Sequence, residues 1–119
     1  NYLNNHRILR LADVLLLAAE ANNRGSGGDA KALIYLNKVR ERAFGDKNHN
    51  LNLSGAALTQ AIWDERRLEL AMEGDRFFDL VRTGQAEKLL TGFVKGKHEI
   101  FPIPQKEIEI SGLPQNPNY

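Results

Sequence analysis

The chain has 119 residues, 16 Lys plus Arg against 15 Asp plus Glu, and no Cys. That length allows one compact domain, about 100–200 residues being usual for one, and an apolar fraction of 42% argues against wholesale disorder. A net charge of +1 argues against a nucleic-acid platform, which carries a basic excess on one face, and the lack of Cys removes disulfide scaffolds, thiolate zinc sites and cysteine nucleophiles.

The opening residues, Asn1–Arg7, carry no signal-peptide pattern. The longest wholly apolar run, Val14–Ala19, has six residues, whereas a membrane span needs about 20. The chain reads as a piece of something longer, with any export signal outside it. Ile8, Leu11, Ala12, Leu15, Ala18, Ala19 and Asn22 share one stripe at helical spacing, while Leu9 and Leu16 cover a second side. A helix apolar on two sides is expected between neighbours rather than on a surface. Asn22–Asp29 is a Gly-rich polar loop, and Asp29 is positioned to cap the next helix through the free N–H groups of its first turn.

Ala32, Leu33, Leu36, Val39 and Ala43 mark that second helix; Gly45–Leu53 is a second polar loop, and Ser54 is a candidate cap for a third helix running to about Glu73. Gly74 supplies a left-handed exit residue, Asp75 can cap a short fourth helix over Arg76–Arg82, and Thr83–Gly84 ends it. Glu87–Phe93 can add a further helical stretch. In Ile100–Pro104 two prolines push the residues before them to extended geometry. Gln105–Ile110 is read as a helical turn, because a tail with Pro114 and Pro117 pairs poorly with a sheet. The expected fold class is all-α, in one domain over residues 1–119. Helix–turn–helix pairs of tetratricopeptide-like packing precede an irregular Pro-rich C-terminal tail, although the Trp, Gly and Tyr positions of that repeat do not recur.

On a helical wheel Leu58, Ala61, Ile62, Leu68 and Met72 share a sector with Glu65 and Glu69, with Glu73 at its edge; Arg40 lies inside the stripe of Leu33, Leu36 and Val39. Charges on core-facing stripes must be paired, and Arg meets a carboxylate with two hydrogen bonds. A structural ion-pair network is therefore expected among Arg40, Glu65, Arg66, Glu69, Glu73, Arg76, Asp79 and Arg82. Arg40 is expected to meet Glu65 or Glu69, or one of these acids to meet Arg66, Arg76 or Arg82. The competing reading is a glycoside hydrolase using Glu65 with Glu69 or Asp79, since such enzymes need two carboxyls about 5–9.5 Å apart flanking a cleft. Acids sharing a stripe with Leu and Ile sit under packing instead, and no catalytic residue is assigned. His6, His49 and His98 lack the i, i+4 partner of a helical metal site; each is expected to face solvent, and no metal ligand is assigned. Trp63, Phe77, Phe78, Phe93 and Phe101 could stack on sugar rings, but at helical spacing they are read as core, and Tyr2, Tyr35 and Tyr119 are weaker candidates.

The stretches Leu11–Ala21 (LADVLLLAAEA) and Ala32–Arg42 (ALIYLNKVRER) resemble the opening helix pair of the C-terminal region of the SusD/RagB family. Glu65–Arg82 (ERRLELAMEGDRFFDLVR) resembles that family's most distinctive stretch, and Phe101-Pro-Ile-Pro104 and Gln115–Tyr119 (QNPNY) resemble its close. The family usually has Gly where this chain has Asn118, and often Trp where it has Thr83. The resemblance implies a part of a lipoprotein on the outer-membrane surface of Bacteroidetes-type bacteria. Such proteins bind glycans, or sometimes peptides, and sit as a lid on a SusC-like TonB-dependent barrel transporter. It implies a binding protein, not an enzyme, with no cofactor. The lipidated Cys and most ligand-binding aromatics belong to regions outside these residues, so no ligand-binding residue is carried over. The alternative on the helix pattern alone is an independent helical interaction module.

Overall fold

Every element among the described residues, 8–119 of the computed structural model, is a helix, and none of them forms a strand. The residues divide into two units, Asn1–Gly74 and Asp75–Tyr119, each taken here by itself.

The first unit holds α1 (Leu11–Arg24), α2 (Asp29–Phe44) and α3 (Gly55–Glu69). α1 runs three residues into the stretch read as a loop, through Arg24. Asn22 stays helical by donating its side-chain amide to the Ala18 carbonyl at 2.7 Å, so only Gly25–Gly28 separates α1 from α2. α1 and α2 form an antiparallel hairpin, and α3 packs on both. The next connection is different. Residues 45–54 double back along α2: Arg40 donates to the His49 carbonyl at 2.8 Å, Asn50 to the Glu41 carboxylate at 2.7 Å, and the Asn37 amide both accepts from the Leu51 N–H and donates to its carbonyl. α3 therefore starts beside the start of α2 and runs parallel to it. The second and third helices are thus not a further hairpin.

Capping also departs from the sequence reading. Gly28, not Asp29, precedes α2. The Asp29 carboxylate instead accepts the Gly55 N–H at 2.7 Å and the Asn23 amide at 2.7 Å. Ser54 occupies the cap position of α3 without a side-chain cap bond, because a carboxylate from α2 supplies the acceptor. Asp75 likewise precedes α4 without a side-chain cap bond.

The three helices share one core cluster: Leu16 and Ala19 from α1, Ala32, Leu36 and Val39 from α2, and Leu58 and Ile62 from α3, all fully or almost fully buried. Each buried Leu or Ile contributes roughly 1.5–3 kcal/mol by leaving water. α3 stops at Glu69 rather than Glu73. Met72 (φ 68) and Gly74 (φ 95) are left-handed, so the wheel no longer applies there, and Met72 is fully exposed. Leu68, at the edge of the stripe, is exposed as well.

The second unit holds α4 (Arg76–Arg82), α5 (Ala86–Leu89) and α6 (Gln105–Ser111). α4 and α6 occupy the stretches read as helical; α5 is shorter than Glu87–Phe93 and begins one residue earlier. The last residues strap the Pro-containing segment before α6. In Pro102-Ile-Pro104 only Ile103 has a backbone N–H; the Gln115 side chain accepts it at 2.7 Å and donates to the Ile103 carbonyl at 2.9 Å. Asn116 donates to the Phe101 carbonyl, Asn118 to that of Gly96, and the Tyr119 hydroxyl to that of Ile100. Asn118 is left-handed at φ 69, a conformation Gly adopts freely and Asn tolerates.

Candidate functional site: a layer of guanidinium–carboxylate pairs

The paired charges gather where the C-terminal ends of α2 and α3 meet the start of α1. The Arg40 Nη1 lies 2.5 Å from a Glu65 carboxylate oxygen, with the Arg40 side chain 17% and the Glu65 side chain 7% exposed. Arg40 also lies over the Phe44 ring, 5.2 Å from its centroid. Arg66 is buried on α3 and donates to Asp13 of α1 at 2.7 Å. Glu69 is held between Arg10, at the cap position of α1, and Arg42 of α2. Arg10 donates from Nε to both Glu73 carboxylate oxygens at 2.9 Å, and from Nη2 to the Glu69 backbone carbonyl. That last bond satisfies one of the carbonyls a helix end leaves without a partner. The two carboxylates hold the Arg10 guanidinium further above its already high pKa, Glu73 first and Glu69 second. Arg10 in turn holds the Glu73 carboxyl below its ordinary value by hydrogen bonding.

Of the residues singled out from sequence, the structure brings Arg40 to Glu65, not to Glu69. Glu69 and Glu73 instead pair with Arg10, and Glu69 also with Arg42; Arg66 pairs with Asp13. Arg10, Asp13 and Arg42 were not singled out. Arg10 and Asp13 bracket the N-terminus of α1 rather than lying in its apolar stripe, and only the antiparallel course of α1 against α3 brings them to the acids. In the second unit Arg82 donates to Asp79 at 2.8 Å within α4, and Arg76 opens the same helix.

The aromatics bear out the expected core placement only in part. Phe77 contacts Phe78, Phe93 and Phe101, with centroids 5.7, 6.4 and 6.2 Å away, but Phe78 and Phe101 are largely exposed rather than core. Trp63 is half-buried, with the Arg24 guanidinium 5.8 Å from its ring centroid. Tyr35 packs at the edge of the core. His49 faces solvent, stacked on Phe44. His98 departs from its expected exposure: it is half-buried and its Nδ1 accepts the Val94 N–H at 2.9 Å. His6 and Tyr2 lie outside the described residues. Among the described residues no group of three or more His, Asp or Glu could hold a metal ion, and no helix is long and apolar enough to cross a membrane.

Chemically, this layer holds three helices in register. Glu65 lies under packing, and Glu65 and Glu69 both accept guanidinium donors rather than facing a cleft. A shallow groove of about 420 Å³ lies between α1 and α2, with Leu11, Ala12, Leu15 and Val39 as its apolar part and Arg10, Lys38 and Arg42 around it.

The family model for the SusD family matches residues 1–100. Two SusD-like proteins of Formosa agariphila, P25 and P2, are 36% and 34% identical over 93% and 97% of this chain. A SusD-like protein of Bacteroides ovatus is 40% identical over 65% of it. The chain spans about a quarter of the length of the first two relatives, 23% and 26%. No solved structure matches it significantly. On the family match over most of its length, and on relatives that align with almost all of it, the chain belongs to the SusD family.

Proposed function

We propose that these residues form a non-catalytic scaffold part of a cell-surface lipoprotein that binds a glycan and hands it to a SusC-like TonB-dependent transporter in the outer membrane. The observation that carries this reading is the family match over residues 1–100. The ion-pair layer supports the scaffold role, because guanidinium-paired acids set among buried Leu and Ile stiffen a helix assembly without offering a reacting face to a sugar. Lipid anchoring belongs to a Cys outside these residues, which contain none. Both units are proposed to be one domain, since the family match runs across both.

The test uses the full-length protein. Titration calorimetry against starch-like, pectic and host-type glycans should find one ligand in the micromolar range, about −8 kcal/mol, and affinity capture from outer membranes should retrieve a large barrel protein. A full-length protein that binds none of these glycans and captures no barrel sinks the proposal.

A further inference from the structure

Residues 115–119 reach back to residues 96–103 through their side chains. The far end of that contact is set on the turn Val94–His98. The Asn118 amide donates to the Gly96 carbonyl and the Tyr119 hydroxyl to that of Ile100, both at 2.9 Å, while the Lys97 ammonium lies 4.8 Å from the Tyr119 ring centroid. Gly96 also donates its N–H to both Glu99 carboxylate oxygens, at 2.9 and 2.8 Å, so side chains hold it on either side. The turn itself is closed by a ring. Val94 donates its N–H to His98 Nδ1 at 2.9 Å, and its carbonyl accepts the His98 N–H at 3.0 Å. A donor needs a lone pair opposite it, so Nδ1 carries no proton and the ring N–H is on Nε2. Phe93 packs edge-on against this ring at 5.8 Å.

We propose that His98 is an acid-sensitive latch: a proton taken up at Nδ1 opens the Val94–His98 turn and frees Asn118 and Tyr119 from it. Imidazole is the side chain whose charge ordinarily changes between about pH 8 and pH 5. A second ring proton removes the acceptor and sets one N–H against another. Glu99 yields later. The Gly96 N–H holds its carboxyl below its ordinary value, so its bonds to Gly96 are lost only as pH falls through that lowered value. Lys95, Lys97 and Glu99 flank His98 in its own segment. From α5, Glu87 shares a small pocket beside Phe93 with Lys95 and Glu99, and from the tail the Tyr119 ring meets Lys97. Two cations face two anions, so the lost bond rather than the surrounding field sets the response. This latch is independent of which ligand the protein binds.

The experiment is amide hydrogen exchange of the full-length protein at pH 8 and pH 5, read by mass spectrometry with the intrinsic exchange rates divided out. Peptides covering 94–98 and 112–119 should lose protection together at pH 5, by at least about threefold, the scale of one lost hydrogen bond. Peptides from α2 should keep theirs. In His98→Asn the side-chain oxygen stands near the place of Nδ1 and takes no proton, so both segments should stay protected at pH 5. His98→Phe keeps a ring against Phe93 without an acceptor and should leave both segments weakly protected at either pH. Equal protection of the two segments at both pH values in the unsubstituted protein overturns the proposal. So does a loss over 94–98 that leaves 112–119 unchanged, or a pH dependence that persists in His98→Asn.

Discussion

Arg40 and Glu65 show how an ion pair can be large in effect and small in net contribution. Both side chains are mostly out of water, so each is costly alone and tolerable only with the other. In the full-length protein Arg40→Met and Glu65→Leu are each expected to cost about 3 kcal/mol, the lower end of the range for breaking a buried pair. The double variant should cost much less than the sum. Denaturant midpoints of the three variants measure the coupling, and strictly additive losses contradict it. Asp29 sets a pH dependence of definite sign. Its carboxyl is held below its ordinary value by the Gly55 N–H and then by Asn23. Its contribution is therefore fully present above the ordinary carboxylate range and is lost as pH falls through the lowered folded value. Stability measured from pH 6 downward should fall less steeply in Asp29→Asn, which keeps the shape and loses the charge; an unchanged acid limb removes Asp29 from the account. Wheel arithmetic showed that Glu65, Glu69 and Arg40 sit among apolar neighbours, since that depends only on helical period. It could not name Arg10 or Asp13 as partners, because their meeting with α3 depends on the directions of three helices.

The elements were legible where punctuation is local. Pro104 before Gln105, and Asp75 with Gly74 before Arg76, mark two short helices closely. The connections were less legible, because the partner of a loop lies elsewhere in the chain. Gly45 ends α2 in a left-handed conformation (φ 78) with its N–H on the Glu41 carbonyl, and nothing in the ten or so residues after it announces that they retrace α2. Asn37 makes that return possible by acting as a strand edge for Leu51, donor and acceptor both. Asn37→Ala leaves a part-buried N–H and C=O without partners and should cost about 1–3 kcal/mol. Asn50→Ala, an exposed bond to Glu41 on the same loop, should stay within about 0.5 kcal/mol. Equal effects from the two, read from thermal or denaturant midpoints of the full-length protein, mean that the loop is not held by Asn37. The polar tail works by the same device, with Gln115 standing in for a strand beside Ile103.

On the scale of the whole molecule, the surroundings of a carboxylate bear on which of two roles it can play. A glycosidase needs one carboxyl to give a proton and another to attack or to activate water, both open to the sugar. Here Glu65 and Glu69 each accept a guanidinium, and Asp79 accepts Arg82 within its own helix. The pairs of Glu65 and Glu69 reach across helices and fix distances between them. Glu69→Gln should therefore act on stability and leave recognition alone. For the glycan binding proposed above, affinity in the full-length protein, at a temperature well below its transition, should stay within about twofold, roughly 0.4 kcal/mol. The same substitution should lower the unfolding midpoint, because Arg10 and Arg42 lose the carboxylate between them. Reducing-sugar release from a polysaccharide panel should be at background for both proteins. Turnover that Glu69→Gln abolishes without lowering the midpoint would make Glu69 a catalytic acid and end the scaffold assignment.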